Sequence, residues 1–156
     1  MASYNGEMNR RVYAAAGRLA DEARRTPRGA FWGSIHGTLC HLLWADQIWM
    51  SRFDGWARPP IGIKESASLI GEFDALEHAR VEADREISDW ADRITPAWLA
   101  GELVWFSNAA GREMRSPRDF LVAHFFNHQT HHRGQAHAMI TAAGEDTGDT
   151  DLMLVV

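Results

Sequence analysis

The chain has 156 residues, of which 46% are hydrophobic, and we expect residues 1–156 to form a single domain with one core. Its 16 Lys and Arg are outnumbered by 21 Asp and Glu, and they lie scattered among the acidic residues, which argues against a nucleic-acid partner. Cys40 is the only cysteine, and the sequence shows neither a signal-peptide core nor an apolar run of about 18 residues. These features exclude an internal disulfide and predict a cytoplasmic protein that does not enter a membrane.

Two helices are predicted in the first third of the chain. Apolar and small residues recur at three- and four-residue steps over residues 4–25, which predicts a first helix that Pro27 and Gly29 end. A second helix is predicted to start with Ser34 as its N-cap and to run to Phe53. It is apolar on nearly every side, which is typical of a helix in the middle of a bundle.

A loop and a third helix follow. The glycines and prolines of "DGWARPPIGIKES", residues 54–66, predict a loop. Apolar residues at helical spacing from Leu69 to about Asp92 then predict a third, amphipathic helix.

The last third of the sequence combines strand and helix signals. Alternating residues in "ELVWFS" and the turn "NAAG", residues 108–111, predict a short β-hairpin. Ser116 as N-cap and Pro117 at the first helical position predict a fourth long helix to about Ala143, followed by an extended end, "DLMLVV". Together the segments predict an all-α fold, a four-helix bundle with a hairpin inserted between the third and fourth helices.

Histidines are concentrated in the fourth predicted helix. At about 100° per residue, His128 and His132 lie within about 20° of the centre of its apolar stripe. His124 and His131 fall about 60 to 80° to one side, and His137 points nearly the opposite way. His128 and His132 are one turn apart on the core-facing side, which is the spacing of two ligands to one metal ion.

The second predicted helix offers a third imidazole. His41 shares a face with Thr38, Ala45 and Ile48, whereas His36 is about 140° away. A bundle can bring His41 opposite the His128 and His132 pair. Three imidazoles would leave a divalent ion with open positions, as in catalytic sites. Histidines at this spacing also occur on helices that bind no metal, so the spacing alone leaves a purely structural role open.

Several segments resemble a known family. "SIHGTLCHLLWADQIWMSRF" and "HFFNHQTHHRGQAH", together with "YNGEMNRRVYAAAGRLADE" and "DTDLMLVV", resemble the DinB-like (DinB/YfiT) family of metal-dependent enzymes, and the likeness covers nearly the whole chain. The resemblance implies a four-helix bundle, often a homodimer, whose metal is held by one histidine of the second helix and two of the last. It thus implies His41, His128 and His132 as metal ligands. Cys40 stands where the family pattern has asparagine; we expect a buried, unreactive thiol there.

The resemblance narrows the function without fixing it. It implies either a hydrolase or a transferase or isomerase that acts with low-molecular-weight thiols on a small-molecule substrate. We expect Zn²⁺ or Ni²⁺ as the ion, although imidazole nitrogens also suit copper and iron. The sequence indicates no catalytic residue, and its spacing places no carboxylate beside the histidines to act as a general base. Two alternatives stay open: a non-catalytic, stress-associated binding or dimerisation module with a structural metal, and a bundle that binds no metal.

Other residues near the predicted ligands have simpler interpretations. Asp46 is predicted to be a structural partner between helices. Asn127 and Gln135 are expected to be polar surface residues, with hydrogen bonding to a ligand histidine as the alternative. Arg133 is expected to form a surface salt bridge. Trp44 is expected to pack between helices, with a wall of the metal pocket as the alternative.

Overall fold

Four long helices form the framework of the chain, which a computed structural model describes over residues 1–108 and 110–155. In chain order the helices are α1 (Ala2–Gly17), α2 (Asp21–Arg25), α3 (Ile35–Phe53), α4 (Phe73–Arg93), α5 (Pro96–Leu99), α6 (Arg118–Ala142) and α7 (Leu152–Val155). A 3-10 helix (Ile63–Ser68) precedes α4, and an antiparallel hairpin of β1 (Glu102–Ser107) and β2 (Arg112–Pro117) precedes α6. The prediction of a four-helix bundle with a hairpin before its last long helix is therefore confirmed. No helix in the described ranges combines the length and apolarity needed to cross a membrane.

The core consists of two apolar clusters along the bundle. The first joins α1 to the start of α3 and the end of α6, where Leu39 and Ile140 are fully buried. The second lies beneath the hairpin and joins the end of α3 to the start of α6 through Phe53 and Phe125. His128 lies on α6 between the residues of the two clusters, and His41 lies on α3 among residues of the first cluster.

The first predicted helix is interrupted. The prediction of one helix over residues 4–25 was wrong beyond Gly17, because the chain turns before α2 begins at Asp21. The backbone N–H of Leu19 bonds to the carbonyl of Ala16 in a tighter, three-residue turn. The Arg24 guanidinium then donates to the carbonyls of Ala16 and Leu19, so a side chain from the next helix satisfies the end of α1.

The hairpin pairs as predicted, with Leu103 opposite Ser116 and Ser107 opposite Arg112. The predicted turn over residues 108–111 includes Ala109, which lies outside the described residues. The prediction of Ser116 as an N-cap was wrong, because strand pairing holds it in the ladder and α6 begins only at Arg118. The Arg118 N–H bonds instead to the carbonyl of Gly101, which ties the start of α6 to the entry of the hairpin.

Two further boundaries differ from the sequence predictions. The third long helix begins at Phe73 rather than Leu69, because residues 63–68 form the 3-10 helix and Leu69 ends it with a bond to the Ser66 carbonyl. The end of the chain is not extended: residues 152–155 form α7, while Val156 lies outside the described residues. The Tyr4 hydroxyl donates to the Thr150 carbonyl and so attaches this end to α1.

Candidate metal centre

Three histidines from two helices converge in the middle of the bundle. His41 lies on α3 with 1% of its surface exposed, and it faces His128 and His132 on successive turns of α6. The ligand-capable nitrogens of the three rings lie within 4.8 Å of one another, and the Nε2 atoms of His41 and His128 are 3.4 Å apart. The structure therefore brings together the three histidines that the sequence predicted.

Two of the rings are held from behind by other side chains. The Nδ1 atom of His41 lies 2.9 Å from the Oγ atom of Ser66, a buried residue of the 3-10 helix. The Nδ1 atom of His132 lies 2.8 Å from the Oε1 atom of Gln135. Because an amide oxygen only accepts, Nδ1 of His132 carries the proton and its Nε2 keeps a lone pair. Such contacts fix the orientation and tautomer of imidazoles that bind metals.

Two indole rings enclose the imidazole of His41. The ring of Trp32 stacks on it at a centroid distance of 3.8 Å, and that of Trp44 lies at 6.0 Å, each inclined by 20°. Trp32 stands in the loop before α3, next to Gly33, whose φ of 79° is a left-handed conformation that glycine adopts without strain. The Trp44 Nε1 atom donates to the carbonyl of Ile61 at 2.8 Å, which holds the residues before the 3-10 helix against α3.

Burial keeps the cluster uncharged at neutral pH. It lowers the pKa of His41 to about 3, with a further contribution from His128 and His132. Burial also lowers the pKa of His128 to about 4, and that of His132 in the same direction. Desolvation disfavours the charged imidazolium, so all three rings are neutral, which is the form that binds metal ions.

The residues present fit a divalent metal ion. The nearby lone pairs of two Nε2 atoms repel unless a proton or a cation lies between them, and a cation would satisfy all three rings at once. Imidazole nitrogens suit Zn²⁺, Ni²⁺, Cu²⁺ and iron. Within the described residues the cluster contains no carboxylate or thiol. Cys40 is buried, as predicted, with its thiol directed to the Ile70 carbonyl at 3.3 Å, and burial raises its pKa.

The remaining histidines near the cluster lie outside it, as predicted. His36 is buried, and its Nε2 atom lies 2.8 Å from the Ile70 carbonyl. His131 is exposed beside His132, and His137 contacts the Thr147 hydroxyl. His124 packs its ring against Trp49 at 5.2 Å.

Two of the simpler interpretations of neighbouring residues were wrong, and for Trp44 the alternative is observed. Gln135 bonds to His132 rather than serving only as a polar surface residue. Trp44 is 8% exposed and lines a cavity beside His41, so it forms part of the wall that the alternative described. Arg133 forms no surface salt bridge; it is 4% exposed and donates to the side-chain oxygens of Asn5 and Asn9 at 2.6 and 3.1 Å.

Asp46 is a structural partner between helices, as predicted. It is fully buried, and its Oδ2 atom accepts a hydrogen bond from Arg80 of α4 at 2.5 Å. Its Oδ1 atom accepts a second bond from Gln129 of α6, the residue after His128. Burial raises the pKa of the Asp46 carboxyl, and the Arg80 guanidinium opposes that rise. Asn127, by contrast, is an exposed residue, as expected.

An open cavity of about 510 Å³ adjoins the cluster at His41 and His128. Aromatic side chains from α3 and the hairpin form much of its wall: Trp44, Trp49, Trp105 and Phe106. A second cavity of about 320 Å³ touches the same two histidines and is lined by Trp32, His132 and Gln135. The cluster is therefore accessible to small molecules.

Sequence reasoning missed Trp32, Ser66 and Arg52. Trp32 and Ser66 lie outside the long helices, where no periodicity indicates which way a side chain points. Arg52, which lines the larger cavity, did carry a signal, because it follows His41 by three helical turns on the same face of α3.

Comparison with known proteins agrees with this architecture. The chain matches no curated protein and no solved structure. The model of the DinB family matches residues 1–155, which is essentially the whole chain, and the protein therefore belongs to the DinB family.

Proposed function

We propose that the chain is a metal-dependent enzyme in which His41, His128 and His132 bind one divalent ion, Zn²⁺ or Ni²⁺, and act on a small molecule. The observation that carries this proposal is the convergence of three neutral imidazoles within 4.8 Å beside an open cavity. A structural ion is usually closed off by four protein ligands, whereas three ligands leave room for a substrate.

The residues around the three histidines have separate roles in this proposal. Ser66 and Gln135 hold the rings of His41 and His132 in place, and Trp32 keeps water from one face of His41. A bound divalent ion would supply Lewis acidity to a water molecule or a substrate thiol.

A ring nitrogen of His124 is the proton acceptor that the cavity offers. Within the described residues the wall contains no Asp or Glu, so no carboxylate is placed for this task. His124 lines the wall with its ring centroid 5.9 Å from that of His128. Burial lowers its pKa, so the ring is neutral and able to accept a proton at neutral pH.

The two cavities favour group transfer to a thiol over hydrolysis. Both touch His41 and His128, so two reactants can approach the same centre from different sides. In such a transfer the thiol sulfur forms the bond to the acceptor carbon, the leaving group departs with its electron pair, and the thiol proton goes to His124. Hydrolysis needs space for one substrate and a water molecule only.

Elemental analysis tests the metal site. Protein purified without an affinity tag or chelator should carry about one ion per chain, as should His131→Ala, whereas His128→Ala should carry none. His131 is a matched control because it is a histidine of the same helix segment outside the cluster. Failure of wild-type protein to bind Zn²⁺ or Ni²⁺ after reconstitution would reject the proposal.

Metal removal distinguishes an enzyme from a module with a structural ion. The bundle buries two apolar clusters without help from the histidines, so we expect the helical circular-dichroism signal to survive chelation by EDTA. Loss of that signal on chelation would favour the non-catalytic alternative, in which the ion links α3 to α6.

A further inference from the structure

An arginine stands on the same face of α3 as His41. Arg52 follows His41 by eleven residues, about three turns, and lies about 20° from it around the helix axis. Ala45 and Ile48 lie between them on this face, and all four side chains line the larger cavity. This face of α3 therefore has an imidazole near one end and a guanidinium at the other.

Aromatic rings hold the Arg52 guanidinium in the cavity wall. Its Cζ atom lies 4.6 Å from the ring centroid of Trp49 and 5.5 Å from that of Trp105. Trp49 precedes Arg52 by one turn, so the arginine side chain leans back along α3 towards His41. Arg52 is half-buried and fixed in direction rather than extended into solvent.

The positive charge of this wall has no acidic counterpart. Arg58 joins Arg52 in the lining, which includes no Asp or Glu among the described residues. The ion pairs found in residues 1–108 and 110–155 all involve other arginines. Burial and the neighbouring Arg58 lower the pKa of Arg52 to about 10, which leaves it charged at neutral pH.

We propose that the cavity binds a substrate with a carboxylate at one end, which Arg52 and Arg58 hold, and an apolar body that lies against the aromatic wall. The planar guanidinium matches a carboxylate through two parallel hydrogen bonds. Apart from the arginines and the histidines, the wall is mostly indole, phenyl and isoleucine side chains, which suit an apolar body and offer few donors for a more highly charged group.

The spacing of His41 and Arg52 along α3 sets the length that we expect for this substrate. Eleven residues correspond to about 16 Å along the axis of α3, and the backward lean of Arg52 shortens this to on the order of 10 Å between the carboxylate and the histidine cluster. The inference rests on the proposed function for its reacting end only. The carboxylate end depends on Arg52, with Arg58 beside it, and can be tested without a metal.

The first test compares 6-phenylhexanoate with its uncharged amide in metal-free protein, by isothermal titration calorimetry. We expect the carboxylate to bind at least tenfold more tightly than the amide. Arg52→Gln should remove this difference, and Arg52→Lys should keep only part of it, because a lysine lacks the two-pronged geometry. Arg85→Gln, which changes an exposed arginine of α4, should leave it intact. Equal binding of acid and amide by wild-type protein, or an unchanged preference in Arg52→Gln, would overturn the proposal.

The thermal stability of Arg52→Gln separates binding from packing. If Arg52 served only to join Trp49 to Trp105, its replacement would lower the melting temperature and leave the preference for the acid unaltered. We expect the preference to disappear even under conditions where the variant is fully folded by circular dichroism.

The second test measures which ligand length the cavity prefers, and it distinguishes a failure of the metal proposal from a failure of the carboxylate proposal. In Co²⁺-loaded protein, ω-mercaptoalkanoates from three to eleven carbons should give a sulfur-to-cobalt absorption band, with the tightest binding at an intermediate length. The matching mercaptoalkanamides should bind at least tenfold more weakly. If the metal proposal is wrong, no band appears, while the preference of metal-free protein for phenylhexanoate persists. If the carboxylate proposal is wrong, the band appears with equal affinity for acids and amides.

Discussion

The Nδ1 atom of His41 lies 2.9 Å from the hydroxyl of Ser66, so a side chain of the 3-10 helix sets the direction of a ring on α3. Both residues are buried, and water cannot replace this contact without a rearrangement of the core. The 3-10 helix that precedes α4 is therefore part of the candidate metal centre, together with α3 and α6.

Ser66→Ala should weaken metal binding about 10- to 100-fold, the range found when an outer partner of a metal-bound histidine is removed. The change leaves the Nδ1 atom of His41 without its hydrogen-bond partner and frees the ring to turn. Competition with a chromophoric Zn²⁺ chelator measures the affinity. Ser68→Ala, on an exposed position of the same 3-10 helix, is the control and should bind as wild type does. An unchanged affinity in Ser66→Ala would show that the hydroxyl does not orient His41.

Trp32 should report the arrival of a metal ion. Its ring stacks on His41 at 3.8 Å, so Cu²⁺, which quenches nearby indoles, should quench its fluorescence strongly. We expect Trp32→Phe to lose a large part of the quenching while keeping the stacking and the metal affinity. Trp98→Phe changes an indole that packs against Phe53 in the second cluster, and this variant should retain the quenching. Equal quenching in the two variants would contradict the arrangement at His41.

The metal-free protein should lose stability as the pH falls from 7 to 4. Unfolded imidazoles bind a proton near pH ~6.5, whereas burial lowers the pKa of His41 to about 3 and of His128 to about 4. Between these values the unfolded chain binds more protons than the folded one, so acid favours unfolding. His41 contributes about 1.4 kcal/mol for each pH unit between its unfolded pKa and its folded pKa of about 3.

Urea denaturation of EDTA-treated protein at a series of pH values measures this dependence. His41→Gln should reduce the slope of unfolding free energy against pH, and His78→Gln, on an exposed position of α4, should not. A slope that is identical in wild type and His41→Gln would contradict the burial of a neutral imidazole.

The parts of the centre that lie on helices were predictable, and the parts on loops were not. A fixed angular step converts the positions of His41, His128 and His132 into directions, so the sequence indicates which imidazoles face the core. The positions of Trp32 and Ser66 depend instead on loop paths that no repeating pattern encodes.

Errors at helix ends have the same origin. Ser116 has the local signature of an N-cap, but its pairing with Leu103 across the hairpin is a non-local interaction and it prevails. The end of α1 depends on Arg24, a residue of the next helix.

The assignment of residues 1–156 to one domain, the homodimer and the cytoplasmic location stay predictions.

The buried carboxylate behind the centre should be essential for the fold. Asp46 is paired with Arg80 and accepts a bond from Gln129, and it links α3 to α4 and α6. Asp46→Ala should destabilise the protein by about 3 to 5 kcal/mol, because it leaves the Arg80 guanidinium buried with only Asp84 as an acidic neighbour. Urea denaturation measures the loss. Asp89→Ala, which breaks an exposed pair with Arg85, should cost less than about 1 kcal/mol.

The double variant Asp46→Ala with Arg80→Met distinguishes a lost attraction from a stranded charge. Replacement of both partners by uncharged side chains removes the desolvation penalty of the guanidinium, so the double variant should be more stable than Asp46→Ala alone. If the stability losses of the single variants Asp46→Ala and Arg80→Met simply added in the double variant, the two side chains would not be coupled. The buried network would then stabilise the fold through packing rather than through charge.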